Sequence, residues 1–217
     1  MAINEESLLD FNGDEVSIGH TRYSTIGRIR KEDIQPMFMS YPYGIGMVHN
    51  GNLVNTQSIK EKLLSENQRY ILSQNDLEVM MNLMAQGISE NINDTEFQKI
   101  LNATETIFNT SKGGYAVLSI LANHGLIAFK DPNALRPLVW GRRKLSSKEL
   151  KTATSKSGFA YAVASESNAL NFLGYEDIKE LEPGEVLYIS KEGKIFNKVL
   201  SKKSFLLYFF GASKNQM

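Results

Sequence analysis

Three positions in this 217-residue chain have the residue types needed to hold a small zwitterion. Arg22 lies in Gly19-His20-Thr21-Arg22-Tyr23-Ser24-Thr25, where small hydroxyl residues leave room around a planar fork of donors suited to a carboxylate. The alternative is a structural ion pair, and spacing alone favours it. Asn50-Gly51, within His49-Asn50-Gly51-Asn52-Leu53, can turn a side-chain amide and a backbone N–H onto one oxygen, as an oxyanion requires. Asn-Gly is also the commonest hairpin signal, and by itself it reads as a turn. Asp76, in Asn75-Asp76-Leu77-Glu78, can accept from an ammonium group, yet it stands where a helix N-cap belongs. A carboxylate spent on capping keeps fewer lone pairs for a ligand, so alone the cap is favoured.

The remaining polar residues point to structure. His20, His49 and His124 have no metal-ligand spacing, and the absence of cysteine removes thiolate sites, disulfides and thiol nucleophiles together. No metal is expected. Asp131-Pro132 and Arg136-Pro137, in Lys130-Asp131-Pro132-Asn133-Ala134-Leu135-Arg136-Pro137-Leu138, read as a turn between strands, because each proline fixes φ and restricts the residue before it.

These residues need elements to position them. Residues 16–20 and 45–48 read as short strands, the second running into the Asn50-Gly51 turn. Residues 56–65 keep helical spacing through Ile59, Leu63 and Leu64, with Asn55 or Thr56 as cap; residues 70–73 suit a small strand. Asp76 opens a helix with a stripe of Val79, Met80, Leu83, Met84 and Ile88, and a second helix carries Phe97, Ile100, Leu101, Ile107 and Phe108. Strands are then expected at 115–122, 126–130, 137–140, 159–164, 185–190 and 195–200, interrupted by a helix at 167–173 that ends at Gly174. Residues 144–157 read as a polar loop. Strands apolar on both faces, with helices grouped before and between them, suit an α+β fold of two stacked sheets covered by helices.

At 42% hydrophobic content the chain can bury a core as one domain. Lys plus Arg and Asp plus Glu are 24 each, so no net charge draws it to nucleic acid or an anionic membrane. The start, MAINEESLLDF, lacks the basic and apolar regions of a signal peptide, and the apolar run 205–210 is too short to cross a bilayer; the expected location is cytoplasmic.

In series, GHTRYST, HNGNL, NDLEV, KDPNALRPL, ASES and PGE resemble the class II glutamine amidotransferases, most closely the glutaminase domain of amidophosphoribosyltransferase. The resemblance implies an N-terminal-nucleophile fold, a four-layer αββα sandwich of two antiparallel sheets. It implies that Arg22 grips the glutamine α-carboxylate, Asp76 takes the α-amino group, and the Asn50 side chain with the Gly51 N–H forms the oxyanion hole. In the family an N-terminal cysteine attacks the glutamine amide, and the ammonia reaches a transferase domain to make phosphoribosylamine from phosphoribosyl pyrophosphate, the first step of purine synthesis. No cofactor is implied for this domain, Mg2+ being expected only with the transferase half. Glutamine and full-length homologous chains, which form homo-oligomers in the family, are the implied partners.

The sequence departs from that family in three places. MAINEESLLDF reaches HTRYST too soon for the family's nucleophile and first strands, so residues 1–204 are expected to form an N-terminally truncated domain, with Ala2 exposed on removal of Met1. Residues 205–217 faintly resemble the junction to a transferase half that is expected to be missing. Lys130 and Ala134 stand where the family usually has Arg and Gly. The chain is therefore expected to be inactive alone; the alternative reading is a non-catalytic module that binds glutamine or docks on a full-length partner.

Overall fold

The computed structural model describes residues 16–21, 34–153 and 155–201. Among the described residues, nine strands form two antiparallel sheets. The larger contains, in spatial order, β1 (Met37–Met39), β2 (Ile45–Leu53), β3 (Gly113–Leu121), β4 (Gly125–Lys130), β8 (Glu185–Ser190) and β9 (Ile195–Val199). The smaller has β5 (Val139–Lys144) between β6 (Phe159–Ala164) and β7 (Glu176–Glu180).

Strand alternation gives the large sheet two buried faces. One carries Ile45, Met47, Val117, Ile127 and Phe129 and packs beneath α1 (Thr56–Asn67), α2 (Asp76–Glu90) and α3 (Glu96–Thr110). The other carries Ala116, Ala128, Leu187 and Ile189 and meets Trp140, Tyr161 and Val163 of the small sheet. The short helix α5 (Ser167–Phe172) covers the outer face of the small sheet, with Leu170 buried against β5. The layers run helix, sheet, sheet, helix, which is the expected αββα order.

Both long helices bury the expected stripes. Val79, Met80, Leu83, Met84 and Ile88 are sequestered in α2, together with Leu77, Met81 and Ala85. Its burial is wider than one stripe because α2 lies between α3 and the sheet, and Gly87 lets it approach the backbone of Ala103. In α3, Ile100, Leu101, Ile107 and Phe108 are buried, and Phe97 packs against the core from its edge.

Several elements differ from expectation. Residues 16–20 form no strand; the Ile18 side chain lies over Gly46, where the missing Cβ leaves room. Asn50-Gly51 is not a turn: β2 continues through it to Leu53, and Asn50 pairs with Ala116 and Gly51 with Tyr115. Residues 70–73 are irregular because the Glu78 carboxylate takes the N–H groups of Leu72 and Ser73 at 3.0 and 2.6 Å, leaving them unavailable to a ladder. Asn55 occupies the N-cap position of α1, but its amide instead ties Thr110 O and Lys112 N across the start of β3. The polar loop 144–157 holds one helical turn, α4 (Glu149–Thr152), anchored by the Arg143–Glu149 fork. The sequence pattern missed β1, too short to show a period, and β7, whose Glu-Asp-Ile-Lys-Glu is largely exposed.

Candidate functional site

The candidate site lies at the end of β2, where the strand passes the start of α2. The N-cap of α2 is Asn75, whose side chain accepts from Leu77 N at 3.0 Å, and not Asp76 as the sequence suggested. Asp76 is thereby freed for longer-range partners. Its Oδ2 accepts from Leu53 N at 2.9 Å, and its Oδ1 lies 3.0 Å from His49 Nε2, close but off the line of an ideal hydrogen bond. Burial opposes ionisation of Asp76, but the His49 contact and the Leu53 N–H outweigh it and hold the carboxyl below its ordinary pKa.

Gln35 completes the group. Its Oε1 accepts from His49 N at 2.7 Å and its Nε2 lies 3.2 Å from His49 Nδ1. All of this lies on the helix side of the large sheet, where His49 is buried in line with Ile45 and Met47.

Backbone alternation along β2 decides what Gly51 can do. In an antiparallel strand the N–H groups point alternately to the two neighbours. Val54 N bonds Lys112 O on the β3 side, whereas His49 N meets Gln35 and Leu53 N meets Asp76, so these two point away from β3. Gly51 lies between them with the same parity. Its N–H therefore faces the edge of β2 away from β3, flanked by two donors that side chains already occupy. The position must be glycine, because a Cβ there would overlap the Gly114 carbonyl and stand 2.7 Å from Tyr115 Cα. Asn50 alternates to the opposite face, between the sheets, and is exposed.

Asn50, Ala116 and Lys130 form one row across β2, β3 and β4 on that inter-sheet face. Lys130 is only 2% exposed, and its ammonium donates to Glu180 Oε1 of β7 at 2.8 Å, joining the two sheets. The Asp131 loop that follows is structural, as expected. Asp131 is fully buried and accepts from Tyr115 N, Asn133 N and Leu135 N at 3.0, 2.8 and 3.2 Å.

The structure thus places Asn50, Gly51 and the contacts of Asp76 near one end of β2, with the Asn50 side chain on the sheet face opposite His49. Arg22 lies outside the described residues. A cavity between the sheets, bounded by Leu118, Leu126, Tyr161 and Ile189, is lined by none of the three and is a separate feature. Gln35 was missed because nothing in sequence ties it to a histidine fourteen residues on. His49 was weighed only as a metal ligand, although its place directly before Asn50 puts it on the opposite face of the same strand.

The glutamine amidotransferase domain family matches residues 20–171. This chain belongs to that family. The amidotransferase domain is 36% identical to the amidophosphoribosyltransferase of Pseudomonas aeruginosa over 189 residues, covering 86% of the chain and 36% of the relative. It is also 36% identical to the Escherichia coli amidophosphoribosyltransferase, over 84% of the chain and 35% of that protein. A solved glutamine phosphoribosylpyrophosphate amidotransferase from B. subtilis, complexed with ADP and GMP, superposes with a TM-score of 0.62 at 32% identity, over 85% of this chain and 34% of that one. The chain spans about a third of the length of these relatives. The two antiparallel sheets with their helical layers are those of the amidotransferase structures. Among the described residues, no helix of this domain is long and apolar enough to cross a membrane.

Proposed function

We propose that this chain is a glutamine-binding domain of the amidophosphoribosyltransferase type, with its ligand at the end of β2. The Asp76 carboxylate, its pKa lowered and its Oδ2 bonded to Leu53 N two residues beyond Gly51, is the observation that carries this reading. An ionised carboxylate suits the α-ammonium of an amino acid, and the Asn50 amide with the Gly51 N–H suits the oxygen of the side-chain amide. Arg22 is the proposed partner of the α-carboxylate. In the relatives' reaction, ammonia from glutamine would displace pyrophosphate from phosphoribosyl pyrophosphate. These 217 residues contain no cysteine, so the thioester step is proposed to lie beyond what they do by themselves.

Glutamine should raise the melting temperature of the chain in a concentration-dependent way, and Arg22→Ala or Asn50→Ala should abolish the shift. Asn50 is exposed, so its replacement should leave the unliganded melting temperature nearly unchanged. The absence of any shift at millimolar glutamine would sink the reading. Glutamate release above a buffer control, lost in Asn50→Ala, would instead show that the chain hydrolyses glutamine without a thiol.

A further inference from the structure

The Gln35 amide meets two atoms of the same histidine, and only one arrangement of hydrogens satisfies both. The backbone N–H of His49 can only donate, so the group 2.7 Å from it must be the amide oxygen. The amide NH2 is then turned to His49 Nδ1 at 3.2 Å, and Nδ1 must accept. The neutral ring consequently carries its proton on Nε2, the nitrogen 3.0 Å from Asp76 Oδ1. Flipping the amide would set NH2 against the backbone N–H, so the ladder geometry of β2 fixes the ring.

We infer that Gln35 and His49 are positioning residues for ligand binding. Gln35 sets the tautomer of His49, and His49, with Leu53 N, fixes the rotation of the Asp76 carboxylate for a ligand ammonium. The Leu53 N–H bonds Oδ2 and His49 Nε2 lies 3.0 Å from Oδ1, which together orient the carboxylate beside the strand end that carries Gly51. The Gln35 and Asp76 side chains accept from His49 N and Leu53 N on either side of Gly51, which directs a ligand oxygen to the Gly51 donor. The selectivity assigned to the pair is for ligands bearing an α-amino group. This inference rests on the glutamine-binding reading of Asp76.

Two measurements test it independently. In the first, long-range 1H–15N correlation spectra of the free protein should show His49 with its proton on Nε2 alone. Gln35→Glu offers Nδ1 an acceptor in place of a donor and should place a proton on Nδ1. A wild-type ring protonated on Nδ1, or a ring unchanged in Gln35→Glu, would overturn the relay. In the second, calorimetry compares glutamine with 4-carbamoylbutanoate, which lacks the amino group. Gln35→Leu should weaken glutamine by about tenfold and leave the analogue within about twofold. Equal loss of both ligands would assign Gln35 a merely structural role. If the wild-type chain binds neither, the glutamine reading of the site fails, while the histidine spectra still decide whether the relay exists.

Discussion

Asp76 shows how one carboxylate can look like a helix cap and serve elsewhere. Asn75 takes the cap, and Asp76 Oδ2 bridges from α2 to the backbone of β2. Because its pKa is lowered on folding, its contribution to stability is present above the unfolded value and is lost as pH falls through the folded one. Asp76→Asn should therefore cost about 1–2 kcal/mol at neutral pH, with the gap to wild type closing below about pH 4. Urea unfolding across a pH series would check this, and a gap independent of pH would mean that the charge of Asp76 is not what stabilises.

At the scale of elements, the loop between β4 and β5 depends on a buried acceptor and a strained backbone. The Asp131 carboxylate collects three N–H groups, and its carbonyl receives Ala134 N at 2.9 Å, which winds the loop tightly. Ala134 is thereby held at φ 51°, in the left-handed region where a Cβ is disfavoured. Glycine, which the family resemblance leads one to expect here, would carry no such strain. Ala134→Gly should raise stability by about 0.5–1 kcal/mol, since relief of the strain exceeds the added entropy of the unfolded chain. A denaturation midpoint that falls would contradict this account.

Over the whole molecule, the two sheets are joined by an apolar layer and by the Lys130–Glu180 ion pair, buried at its lysine end. Lys130 runs from the row of Asn50 to Glu180 on the small sheet, with the ammonium end sequestered and the Glu180 side chain largely exposed. A buried ammonium with one partner contributes little net stability, but leaving it unpaired is costly. Lys130→Met should thus be nearly neutral, whereas Glu180→Ala should cost about 1–3 kcal/mol, and the double variant should recover most of that loss. A double variant as unstable as Glu180→Ala alone would show that Glu180 acts through other contacts.

Local chemistry and periodicity made much of this protein legible. The stripes of α2 and α3, the apolar strands β3, β4, β6 and β8, and the helix stop at Gly174 follow from spacing that any chain of this pattern must bury. The motifs carried the family, because their order along the chain is itself information. What sequence could not settle was where each polar group spends its hydrogen bonds. Asn50-Gly51 is a common turn signal, and only pairing with β3 across more than sixty residues makes it a continuous strand. Asp76 resembles a cap until Asn75 takes that place, and Gln35 has no role until the fold sets it against His49. These assignments depend on groups distant in sequence competing for the same donors, and tertiary structure decides that competition.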